Sequence, residues 1–201
     1  NNLRAQGTDH MEIVSNWCRE NDIEFFWSMR MNDTHDAWGD RNISGFKKTF
    51  RDCLLGSRNK KPAHGHWTAL DYGREKVRDF VLRLIEETCI NYNLDGIELD
   101  FWRYPVLFRT VAEGSKASDT ERAALTVLMR SIRERIDRIG VQRGNAILIA
   151  VRVPDSVGYC RDMGIDIETW LRNGLIDMLI PGGDFQLNEW EYSVELGHRH
   201  G

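Results

Sequence analysis

Glu98 and Asp100 stand two residues apart in the run Asp95-Gly-Ile-Glu-Leu-Asp-Phe-Trp-Arg-Tyr-Pro105. In a strand, alternate side chains share a face, so Glu98, Asp100 and Trp102 point one way while Ile97, Leu99 and Phe101 point the other. The apolar set can enter a core. The two acids cannot follow it unpaired, because burying a lone carboxylate costs several kcal/mol or forces it to take up a proton. The run therefore reads as one wall of a site, with carboxyl groups suited to general acid and base chemistry.

Other polar residues fall at the ends of neighbouring strands. In the first apolar strand, Phe25, Trp27 and Met29 share one parity, which leaves Ser28, Arg30 and Asn32 on the other, with Asp33 and His35 in the loop beyond. Arg152 is the inward residue at the top of a strand whose Ile147, Ile149 and Val151 face the core, and Asp71 and Asp184 follow two further strand signals. Asp100 and Glu98 are thus the candidate catalytic pair. Arg30, Asn32, Asp33, His35, Asp71, Trp102, Arg103, Arg152 and Asp184 are the candidate substrate contacts. Glycoside hydrolysis uses two carboxyl groups flanking the bond, about 5 to 5.5 Å apart for retention and about 6.5 to 9.5 Å for inversion. Stacked on one wall, Glu98 and Asp100 do not flank a substrate by themselves, so the partner of Asp100 is expected across the mouth. His64 and His66 form a His-x-His pair with no carboxylate or cysteine at ligand spacing, and neither a metal nor a cofactor is expected. Ser28 has no nucleophile-elbow context.

Composition restricts the partners. The chain has 201 residues, 41% of them hydrophobic and 29% charged, which suits a single domain over 1–201 with one core. A formal charge of -4 and a pI near 5.9 exclude a nucleic-acid or anionic-membrane surface. Carbohydrate fits better. No apolar run reaches the roughly 20 residues of a bilayer span, and the opening residues lack the layout of a secretion signal. The chain begins at Asn1, so a periplasmic or secreted location is expected if a signal precedes it and a cytoplasmic one otherwise. Cys18, Cys53, Cys89 and Cys160 are widely spaced and read as free buried thiols. Of the seven tryptophans, Trp38, Trp67, Trp102 and Trp190 fall in expected loops, where an indole either packs or offers a flat platform to a sugar ring.

Helix and strand signals alternate along the chain. Helices are expected over 9–21, 46–55, 77–88, 119–139 and 166–172, the fourth opened by the capping box Ser118-Asp-Thr-Glu121 and closed at Gly140. Strands are expected over 23–30, 67–71, 95–101, 146–153 and 176–180. Such alternation means parallel strands with helices packed outside. The loops after the strands carry the polar residues, the asymmetry of a (β/α)8 barrel with its site at the strands' C-terminal ends. A doubly wound sheet is the alternative, though no glycine-rich phosphate loop follows any strand. Five strands are fewer than the eight of a closed barrel. The expectation is a partial α/β barrel of the TIM type that self-associates through its exposed edges.

The strand motif, followed by Tyr104-Pro105, resembles the Asp-Gly-x-Asp-x-Asp-x-Glu signature of family 18 chitinases, in which the last Glu is the catalytic acid. Trp102 stands at that place here, so that mechanism does not carry over. A likeness covering nearly the whole chain is to the bacterial family 10-like glycosyl hydrolases. It rests on Phe25-Phe-Trp-Ser-Met-Arg-Met-Asn-Asp33, Ala69-Leu-Asp-Tyr72 before Val77-Arg-Asp-Phe80, the motif strand, and Ala150-Val-Arg-Val-Pro154. That resemblance implies a barrel whose strands two to six are present, with the motif strand fourth. It further implies an acid/base at the end of strand four, which is Asp100, and a second carboxylate on a later strand outside these residues. Together with the reading of the strand faces, the expectation is Asp100 as acid/base tuned by Glu98, with Arg30, Asn32, Arg103 and Arg152 positioning substrate. The activity expected is hydrolysis of O-glycosidic bonds. A non-catalytic carbohydrate-binding barrel and a metal-dependent hydrolase using Asp71, Glu98, Asp100 or His66 are the alternatives.

Overall fold

A computed structural model describes residues 2–39, 42–183 and 187–200. It opens with α1 (Asn2–Ala5) and α2 (His10–Glu20), which Asp9 caps through the Met11 and Glu12 amides. The parallel strands are β1 (Phe26–Arg30), β2 (Gly96–Asp100), β3 (Leu148–Pro154) and β4 (Met178–Gly182), ordered β1-β2-β3-β4. Between β1 and β2 come α3 (Gly45–Thr49) and α4 (Glu75–Asn91); α5 (Arg109–Ala112) and α6 (Asp119–Arg143) separate β2 from β3. Short helices α7 (Val157–Met163) and α8 (Ile167–Arg172) lead to β4, and α9 (Trp190–His198) follows it.

Each strand pairs with the next in sequence after an intervening helical crossover, a run of βαβ units. One face of the sheet is dry. Ile97, Leu99 and Phe101 of the motif and Ile149, Val151 and Val153 of β3 share one buried cluster with Val77, Val81 and Ile85 of α4 and with Leu125, Met129, Ile132 and Ile136 of α6. These helix residues recur at three- and four-residue spacing, which gives each helix a single apolar stripe. The opposite face is open, with Ser28, Arg30, Met178 and Ile180 exposed.

Two expectations are corrected. The apolar run Trp67–Asp71 is not a strand, so the described residues hold four strands rather than five. Its one ladder contact is an antiparallel bridge between Leu70 and Leu54. Its backbone is instead bound by the Asn32 side chain and by residues 53–56: the Leu70 amide donates to Asn32 Oδ1 at 2.8 Å, and the Leu55 amide to the Ala69 carbonyl at 2.8 Å. Burial in a packed loop made that run apolar. The second correction concerns α6, which passes Gly140 and ends at Gly144 in the left-handed region, φ 77°. Gly140 is needed for close approach, since a Cβ there would lie 2.9 Å from the Asn145 carbonyl oxygen.

Candidate active site

The parallel register stacks the open face in layers. Phe26, Gly96 and Leu148 form the lowest, and the Phe26 ring occupies the space a Cβ on Gly96 would need. Above it lie Ser28, Glu98, Ala150 and Met178, then Arg30, Asp100, Arg152 and Ile180. Trp102 crosses from beyond β2 to Gly182 on β4, where an added Cβ would meet the indole at 2.9 Å. The carboxylates and both arginines thus share one face at the C-terminal ends of the strands, as their parity predicts.

Asp100 is 5% exposed. Its Oδ1 accepts the backbone amides of Trp102 and Arg103, each at 3.0 Å, which folds the chain over the strand end. Its Oδ2 faces the Arg152 guanidinium at 3.5 Å. Arg152 in turn lies over the Trp102 ring, 4.6 Å from its centroid, so one planar cation joins the carboxylate to the indole. Arg103 is exposed and 5.5 Å above the Tyr104 ring. Glu98 is half-buried and has no hydrogen-bonding or ion-pairing partner among the described residues.

Arg30 reaches His35, Nη1 to Nδ1 at 3.3 Å, and the same Nδ1 lies 2.5 Å from Asp33 Oδ1. Partial burial pulls the Asp33 carboxyl upward, but hydrogen bonds from the His35 ring and backbone outweigh it, and the group titrates below its ordinary value. Asn32 and Asp71 are not in this group. Asn32 is 2% exposed, and its amide donates to the carbonyls of Leu70 and Val106 while accepting the Leu70 amide, so it clamps two loops to the end of β1. Buried Asp71 accepts the Gly73 amide at 3.1 Å and pairs with Arg109 at 3.5 Å and Arg74 at 3.7 Å, none of them on the sheet. Both residues serve the loop that carries residues 67–72. Asp184 lies outside the described residues.

A cleft of about 300 Å³ opens beside this row, lined by Trp102, Arg103, Pro105, Pro154, Asp155, Tyr159, Gly182 and Gly183. Asp155 and Tyr159 escaped the sequence reading. Asp155 directly follows the strand end at Pro154, and that position was the available signal; Tyr159 rides on α7, which has too few residues for a periodic pattern. The Asp155 Oδ2 accepts the backbone amide of Asn188. Larger hollows lie elsewhere, one of about 500 Å³ among α6, α7 and α8, away from the strand ends. Among the described residues no group of three or more His, Cys, Asp or Glu is placed to hold a metal ion, and no helix is long and apolar enough to cross a membrane.

No protein-family model matches the chain, and no curated protein matches its sequence. Solved structures do. A family 18 N-acetylglucosaminidase from Paenibacillus barengoltzii aligns over 97% of this chain with a TM-score of 0.54 and 20% identity. An α-galactosidase from Thermus thermophilus, in complex with stachyose, aligns over 95% with a TM-score of 0.52 and 22% identity. A family 36 α-galactosidase from Geobacillus stearothermophilus aligns over 94% with a TM-score of 0.56 and 16% identity. The chain spans 53%, 36% and 23% of those three proteins, respectively. At such identities the likeness establishes fold alone, and it points to no family 10 protein in particular. The chain has an α/β fold with a four-stranded parallel sheet, similar to part of the barrel glycoside hydrolases.

Proposed function

We propose that the chain carries the catalytic wall of a TIM-type barrel that hydrolyses O-glycosidic bonds, with Asp100 at the reacting centre. The observation that carries this reading is the row Arg30–Asp100–Arg152 on the open face at the strands' C-terminal ends, where barrel enzymes hold their chemistry. The cleft beside Trp102 is the proposed seat of the sugar whose bond is broken; its 300 Å³ is at the small end of ligand pockets. All the partners of Asp100 are donors: two backbone amides on one oxygen and a guanidinium on the other. A carboxylate so surrounded acts as nucleophile, or as the negative charge beside an oxocarbenium-like centre, and leaves proton donation to another carboxyl group. Asp100 thereby moves from the acid/base role that the family resemblance implies to the anionic one. Glu98 sits one layer below and adds negative field under the same centre. Asp155 is the further carboxyl group bordering the cleft.

The second reading, a non-catalytic carbohydrate-binding barrel, is favoured by one observation: Asp100 is almost fully buried and both its oxygens are engaged. Hydrolysis of a panel of 4-nitrophenyl α- and β-glycosides separates the two. Nitrophenol release above the uncatalysed rate with any member supports the hydrolase; release with none, alongside saccharide binding, supports the binding barrel.

A further inference from the structure

On the far side of Asp100 from the cleft, a second group of rings stands at the same mouth, unused by the proposed reaction. Arg30 is the register neighbour of Asp100 and touches His35. From His35 the rings run in succession. Its Nε2 is 3.5 Å from the Tyr104 hydroxyl, with the two rings edge-to-face at 5.6 Å; Tyr104 meets His66 at 5.9 Å, and His66 meets Trp38 at 5.7 Å. Trp38 is 81% exposed.

An indole in water forfeits one of the largest burial gains any side chain can make, and edge-on contact with His66 leaves most of its surface bare. Its loop is nonetheless held in place. Lys47 Nζ donates to the Asp33 carbonyl at 2.7 Å and pairs with buried Asp36 at 2.8 Å, two residues before Trp38. A flat apolar ring beside the His66 imidazole, in a row that continues to the Tyr104 hydroxyl, matches a sugar, which offers an apolar ring face and polar edges. Holding that ring in advance lowers the ordering cost of binding.

We propose that Trp38, His66 and Tyr104 form a rail for further sugar units of an oligosaccharide or polysaccharide whose reacting unit lies at Asp100. The inference rests on the carbohydrate reading of the Asp100 face. It makes the substrate an extended saccharide that crosses the mouth from the Trp102 cleft past Asp100 to Trp38.

Native electrophoresis in gels containing galactomannan, xylan, barley β-glucan or glycol chitin tests it. The wild type and Asp100→Asn should both be retarded by at least one of these polymers. Trp38→Ala should weaken that retardation about tenfold, the loss of one aromatic contact. Trp38→Phe, which keeps a flat ring, should restore most of it. The exposure of Trp38 makes its replacement harmless to folding. Absence of retardation by all four polymers, or equal retardation of wild type and Trp38→Ala, overturns the rail. Failure of the catalytic proposal shows separately, as absent aryl-glycoside hydrolysis; retardation that depends on Trp38 then still supports the rail.

Discussion

Asp100 is held by its own chain as much as by its neighbours. Two amides on Oδ1 fix the turn at Trp102 and Arg103, and Arg152 is clasped between Oδ2 and the indole. Asparagine keeps the Oδ1 acceptor, so Asp100→Asn should retain the turn while removing the charge; equal far-ultraviolet dichroism of the two proteins is the check. Buried ionisable groups away from the site give a second expectation. Burial pushes the Cys89 thiol up to about 11 and the Cys160 thiol up to about 12, from an ordinary 9.0, and raises the Tyr72 phenol. A raised folded-state value means the contribution to stability is complete below pH 9.0 and shrinks as pH climbs toward the folded values. Urea midpoints should therefore fall between pH 8 and pH 10.5, and native Cys89 and Cys160 should resist thiol reagents that label both after unfolding. The shared face of the polar residues was legible where a period of two decides it, as for Arg30, Glu98, Asp100 and Arg152. Asn32 and Asp71 were not, because the hydrogen-bond needs of a folded loop leave no periodic mark.

Helix α6 shows how much one element's ends matter. Ser118 Oγ accepts the Glu121 amide at 3.2 Å, the Glu121 carboxylate accepts the Ser118 amide at 2.8 Å, and it also accepts the Thr110 hydroxyl. The capping box thus ties the start of α6 to α5. Ser118→Ala should cost about 1 kcal/mol in urea unfolding, and Glu121→Ala more, since it releases two elements. The box was visible in four residues of sequence. The end of α6 was not, because Gly140 reads as a stop and only the close approach of Asn145 explains why glycine stands inside the helix. A similar confusion produced the expected strand at 67–71: loop residues buried against a core carry the same apolar composition as a strand, and composition does not reveal which hydrogen-bond partners they meet.

At the scale of the molecule, strands and helices alternate around a four-stranded parallel sheet, and the similar solved structures are barrel glycoside hydrolases. Among the described residues β1 and β4 are the sheet edges, and Met178 and Ile180 are exposed on the open face. Such edges and faces recruit a partner strand or a second copy. Sedimentation velocity on this chain should accordingly show concentration-dependent association; a single monomeric species across a wide concentration range would contradict it. The open face carries the Arg30–Asp100–Arg152 row, with Arg30 exposed, Arg152 half-buried and Asp100 buried between them. The most direct test of the central claim compares hydrolysis of one responsive aryl glycoside by wild type, Asp100→Asn and Glu98→Gln. Loss of about 10³-fold in kcat/KM for Asp100→Asn, with a much smaller loss for Glu98→Gln, is the predicted result; an Asp100→Asn protein that retains the wild-type rate would contradict it.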